Sequence, residues 1–200
     1  MMNFNFNISE LIFVMPELFL LAAISCILLF DLYVKEELRK FTYHLSQLAL
    51  LITGLLAFNL IGESATIFSG TFVLDTLGST FKVFIAGFSI IALVYSRHYL
   101  SVHGLLRNEY FILALMSILG MLVMVSGHSL LTLYLGLEIM SLSLYALIAT
   151  ARDRAFAIEA ALKYFVLGAI ASGLLLYGMS MIYGITGNLD IAEIASFASL

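Results

Sequence analysis

Glu138 stands near the middle of an apolar run, LLTLYLGLEIMSLSLYALIA (residues 130–149), that contains no Lys or Arg. As a helix, the run holds the carboxyl about 13 Å from either end, too deep for so short a side chain to reach the interface. An ionised group there costs about 3 kcal/mol on insertion scales, so the acid must be neutral, paired or hydrated. The chemistry that suits it is the uptake and release of a proton inside a membrane. The plainer use is a protonated acid that hydrogen-bonds a neighbouring helix and fastens it. Tyr134, Ser141 and Tyr145 share its helical face, at the offsets a polar stripe for a proton relay needs. A cation that approaches and withdraws would switch such an acid between holding and releasing its proton.

Lys163 follows Glu159 in IEAALKYFVLGAIASGLLLYG at the spacing and in the order that favour an ion pair on one helical face. It is either the next proton station after Glu138, reached through water, or an anchor that snorkels to the interface. Counted from the connection that joins their helices, Glu138 lies deeper than Lys163 by about 5 to 10 Å. Within the same stretch, GAIASG (168–173) sets Gly168 with Ser172 and Ala169 with Gly173 at the small-xxx-small spacing of close helix packing. Lys82 shares a helix face with Asp75 and has nearly the depth of Glu138; it either contacts that glutamate or reaches outward towards Asp75. His128, in the short SGHS link, could pass protons near neutral pH, although an exposed loop histidine is more often incidental. His44, His98 and His103 lack metal-ligand spacing, and no glycine pattern matches a phosphate loop or a dinucleotide fingerprint. No metal or soluble-cofactor site is expected in this chain.

Such groups need elements to hold them, and the composition names the solvent. Of 200 residues, 62% are hydrophobic and 11% charged, too few polar groups to cover a water-soluble surface, so the expected fold is an all-α integral membrane bundle. The apolar runs are continuous and do not alternate, which excludes barrel strands. Six of them reach the roughly 20 residues that cross the hydrocarbon as helices: 11–33, 41–61, 75–96, 109–126, 129–149 and 157–183. The longest connection, 61–75, has room for a turn or a short hairpin. Lys35, Arg39 and Lys40 fall in the first connection, Arg97 and Arg107 in the third, Arg152 and Arg154 in the fifth, and none in the others or in the tails. By the positive-inside rule both termini face the outer side. The opening MMNFNFNISE has neither the basic region nor the cleavage site of a signal peptide, so the first run is read as a retained span. A single cysteine, Cys26, excludes an internal disulfide, and the nine basic residues form no patch for nucleic acid.

LYLGLEIMSLSLYAL, EAALKYFVLGAIASGLLLYG and the closing YGITGNLD, with FVLDTLGSTFKVFIAGFSIIALVYSRHYL upstream, closely resemble one family: subunit N of the bacterial proton-pumping NADH:quinone oxidoreductase, respiratory complex I. That family is related to mitochondrial subunit 2 and to Mrp-type antiporter subunits. The resemblance covers nearly the whole chain, with residues 1–60 matching mainly in hydropathy. It implies the first half of an antiporter-like bundle with inverted repeats, in which residues 1–108 supply three helices and 109–200 begin the first repeat with helices four to six. In the family the chain continues past this point into a broken seventh helix and a second repeat. Glu138 corresponds to the essential glutamate of the fifth helix and Lys163 to the lysine of the sixth. The resemblance further implies a lysine on the seventh helix coupled to Glu138.

The function expected from the acid and the resemblance together is proton translocation in the bacterial inner membrane, through Glu138 and intramembrane lysines, driven by quinone reduction elsewhere in the complex. The partners implied are the lipid bilayer and the other membrane subunits, neighbouring antiporter-like ones included. NADH, FMN, iron-sulfur clusters and quinone would belong to the rest of the complex, with no redox chemistry here. Two alternatives stand beside this one: a sodium/proton antiporter subunit, and a structural membrane subunit without conduction.

Overall fold

The computed structural model describes residues 8–33 and 40–199. Six helices in it are long and apolar enough to cross a membrane: α1 (Met15–Tyr33), α2 (Lys40–Asn59), α3 (Thr76–Val102), α4 (Asn108–Ser126), α5 (Leu130–Ile148) and α6 (Ala155–Thr186). A 3-10 turn, Ile8–Val14, leads into α1, and a short α7 (Ile191–Ala198) follows α6. All six expected spans are present. Two run further than hydropathy indicates: α3 continues to Val102 and α6 to Thr186, so Arg97 and His98 stand on a helix and not in a connection. Lys35 and Arg39 lie outside the described residues.

The helices begin where the sequence provides caps. Asp75 accepts from the Gly78 amide at 2.6 Å to open α3, and Ser129 accepts from the Thr132 amide at 3.1 Å to open α5, each satisfying a donor the first turn leaves free. Pro16 falls in the first turn of α1, where its missing N–H costs nothing. At the end of α6, Gly187 takes φ +69°, the left-handed stop that only glycine adopts without strain.

Helix α4 is the centre of the bundle. It packs against α1, α2, α3 and α5, and its Phe111, Leu115, Ile118, Leu119 and Leu122 form the core with Leu20 and Ile24 of α1 and Leu50 of α2. The closest backbone approach between helices joins α4 to α5. A Cβ on Gly120 would lie 2.6 Å from the Gly136 carbonyl, and one on Gly136 would lie 2.9 Å from the Gly120 carbonyl. Small residues at this crossing let the two helices touch backbone to backbone. By contrast, Gly168 in the GAIASG stretch admits the Tyr145 hydroxyl and Gly173 has nothing near it, so that spacing does not make a helix crossing within this chain. Among the described residues, helix α6 packs chiefly on α5 and is mostly exposed elsewhere.

The 61–75 connection does form a hairpin, β1 (Ala65–Ile67) antiparallel to β2 (Phe72–Leu74). Phe72 bridges Gly127, the His128 amide donates to the Thr71 carbonyl at 3.0 Å, and Ser129 bridges Asp190. The 127–129 link thus ties the hairpin to the segment before α7, closing the end of the bundle opposite the basic connections. At that other end, Arg152 pairs with Glu109 and Arg107 with Asp153, both at 2.7 Å, and Arg97 lies over the Tyr43 ring.

Candidate functional site

Glu138 occupies the middle of α5, two residues past the Gly136 crossing that fixes this helix against α4. Its half-buried carboxylate turns towards α6, where the Ser172 hydroxyl donates to Oε1. The Tyr134 hydroxyl lies 2.9 Å from Ser172 Oγ. Because the single serine hydrogen is directed at the carboxylate, the tyrosine is the donor in that second bond. Tyr134, Ser172 and Glu138 therefore form an unbroken chain of hydroxyls ending on a carboxylate, held between two apolar helices. Hydrogen bonds to an ionised acceptor are the strong ones, and inside a membrane they supply what water would otherwise provide.

Tyr134 sits where the sequence expects it, one turn from Glu138. Ser141 shares the face, half-buried, and makes no hydrogen bond among the described residues. Tyr145 packs edge-on against Tyr164 and Phe165, with centroids at 4.8 and 5.7 Å, and its hydroxyl fills the space beside Gly168. Ser172 reads in sequence only as one small residue in a packing motif; here it is the link that completes the chain. Its signal was available as a hydroxyl midway along the apolar α6, but nothing in one sequence says that it faces Glu138.

Lys163 forms the expected ion pair with Glu159, at 2.5 Å. It does not approach Glu138. Along α6 it is about 13 Å from Ser172 and half a helical rotation away, so it points off the opposite side of the helix. Its side chain is 71% exposed. Lys82 departs from both expectations: it touches neither Asp75, whose carboxylate caps α3, nor Glu138. It is fully buried and pairs with Glu17 of α1 at 2.5 Å. Glu17 carries the same signal as Glu138, an acid inside an apolar span, and its pairing with Lys82 is not legible in the sequence. His128 contributes its backbone to the link between hairpin and α7, and its side chain makes no described contact. No group of three or more metal-ligating side chains occurs among the described residues.

Six apolar helices, two of them joined by a hydroxyl–carboxylate chain, define a multi-pass membrane protein. Residues 127–200 match the family described as NADH:quinone oxidoreductase/Mrp antiporter, transmembrane. Over its whole length the chain is 66% identical to NADH-quinone oxidoreductase subunit N of Ruthia magnifica subsp. Calyptogena magnifica, covering 42% of it. It is 51% identical, over 92% of its length, to the protein of that name from Alkalilimnicola ehrlichii, of which it covers 38%. A chain of respiratory complex I from Thermus thermophilus superposes with a TM-score of 0.72 at 27% identity, over 88% of this chain and 38% of that one. A chain of the archaeal membrane-bound sulfane sulfur reductase shares the fold, with a TM-score of 0.78 at 24% identity over 93% and 40% of the two chains. The chain belongs to the family of NADH-quinone oxidoreductase subunit N, and it spans about two fifths of the length of the relatives it matches.

Proposed function

We propose that this chain is part of a proton-translocating membrane subunit of a NADH:quinone oxidoreductase, and that Glu138 is the group in it that accepts and releases the proton. The observation that carries the reading is the Tyr134–Ser172–Glu138 chain in the middle of α5, a donor series aimed at a carboxylate that apolar neighbours would otherwise strand. A hydroxyl passes a proton along when it donates one hydrogen and accepts another, and Ser172 has both partners. Lys163 acts as a secondary station on the face of α6 away from α5, where its charge biases Glu138 through the helix and not by contact.

In the same proposal, residues 1–108 supply the first three transmembrane helices and 109–200 begin the first antiporter-like repeat, with the N-terminus on the outer face of the bacterial inner membrane. The partners are the other membrane subunits of the complex, neighbouring antiporter-like ones included. Electron transfer and its cofactors lie in those other subunits, and their chemistry reaches this chain as a change of field and packing.

The test is Glu138→Gln in the full-length subunit within its assembled complex. It should remove most proton pumping and leave NADH oxidation and assembly in place. An unchanged ratio of protons to electrons would refute the reading. Sodium-dependent proton flux in vesicles without NADH dehydrogenase would point instead to a sodium/proton antiporter.

A further inference from the structure

A second set of buried polar groups lies at the hairpin end of the bundle, on the far side of α4 from Glu138. Lys82 and Glu17 form its ion pair, with side chains 1% and 5% exposed. Lys82 sits about 9 Å along α3 from its start and Glu17 in the first turn of α1, and their contact joins the two helices. The single close contact leaves most of the three ammonium donors and the carboxylate lone pairs unused, and Glu17 Oε2 has no hydrogen-bond partner among the described residues.

Two serines add to the deficit. Ser79, one turn before Lys82 on the same face, and Ser126, at the end of α4, are buried with unpartnered hydroxyls. A serine inside a helix ordinarily satisfies itself on the carbonyl one turn back, as Ser25, Ser46, Ser96 and Ser143 do. Ser79 and Ser126 forgo that bond. Both flank the contact between α3 and α4, where Gly78 packs against Val125, and Ser126 precedes the glycine that bridges Phe72. The Phe72 ring in turn lies 5.1 Å from the Lys82 ammonium. Val14, Ile67 and Phe72 pack as an apolar cover over this end.

We propose that Glu17, Lys82, Ser79 and Ser126 form a second proton-exchange site, one that takes ordered water and lies beneath the hairpin on the outer half of the membrane. Unmade hydrogen bonds among buried groups of both kinds are what an internal water satisfies, and two hydroxyls beside an ion pair give it the polar partners it needs. The transfer is simple: the Lys82 ammonium gives a proton to the Glu17 carboxylate, leaving amine and acid. Water then carries that proton onward, and a second proton restores the ammonium. No electrons move and the site's net charge returns to its starting value. Because the apolar flank of α4 separates this site from Glu138, it is a distinct station and not an extension of the Ser172 chain.

The inference rests on the proton-pumping reading above, and its test is arranged to fail separately. In the assembled complex, Glu17→Gln with Lys82→Met removes both charges together, a change a merely structural ion pair tolerates. Ser79→Ala with Ser126→Ala removes the hydroxyls and keeps the pair, which guards against a charge variant that does not assemble. Each assembled variant should lose protons pumped per NADH while NADH oxidation continues, and adding Glu138→Gln to the charge variant should lower the ratio no further than Glu138→Gln alone. If either variant assembles and pumps at the parental ratio while Glu138→Gln does not, the second site is overturned and Glu138 stands. If Glu138→Gln itself pumps normally, the underlying reading falls first.

Discussion

Gly120→Ala should damage this protein more than any other change of equal size in its helices. The added methyl would lie 2.6 Å from the Gly136 carbonyl and 2.6 Å from the Met140 amide, both backbone atoms that no rotamer change can move, where ordinary contact begins at 3.4 Å. The helices must part by about 0.8 Å at the crossing, the difference between those two distances. Overpacking of this kind costs about 1 to 3 kcal/mol. At Gly173, where nothing lies within 4 Å, the same substitution removes a poor helix former and should gain up to about 1 kcal/mol. The two variants should thus differ by about 1 to 4 kcal/mol in resistance to unfolding by denaturing detergent, and the amount of assembled subunit should follow. Function should track geometry as well. Displacing α5 at Gly136 moves Glu138 relative to Ser172, so Gly120→Ala complexes that do assemble should pump fewer protons per NADH. Equal stability and equal pumping in the two variants would refute the claim that the α4–α5 crossing positions Glu138.

Other substitutions follow from the same contacts. Ser172→Ala should lower pumping with assembly intact, because it cuts the only described link between Tyr134 and Glu138; parental pumping would mean that the serine is packing after all. Lys163→Met should weaken coupling less than Glu138→Gln does, since the lysine points away from α5, and pumping measured side by side checks the ranking. Asp75→Ala should cost about 1 kcal/mol through loss of the α3 cap, read as a lower detergent-unfolding midpoint. Arg152→Gln should cost less than about 1 kcal/mol, because its pair with Glu109 is exposed.

The spans were legible because a bilayer demands runs of about 20 apolar residues, and α1, α2, α4 and α5 end close to where the runs end. Hydropathy ends α3 at 96, but the helix continues past the apolar run, where the buried Leu100 and the Arg97 contact with the Tyr43 ring help to hold it. The hairpin was legible from its Ser, Thr and Gly content. Partnership between helices was not. Hydropathy says that Lys82 is deep but not that α1 brings Glu17 to it, and the nearer-looking Asp75 was already engaged as a cap. Likewise, Gly168 with Ser172 and Ala169 with Gly173 have the spacing of a crossing, while Gly120 and Gly136, far apart in sequence, make one. Glu138 was legible by its isolation, and Tyr134 by its offset. Ser172 was hidden because a serine among small residues has the same sequence signature whether it packs or donates.

The most direct measurement is the number of protons delivered across the membrane per NADH oxidised, compared in assembled complexes carrying Glu138, Glu138→Asp and Glu138→Gln in the full-length subunit. A retained carboxyl should preserve part of the delivery in Glu138→Asp, and its loss in Glu138→Gln should remove most of it at unchanged assembly. Equal delivery by all three would contradict the assignment of Glu138 as the group that carries the proton.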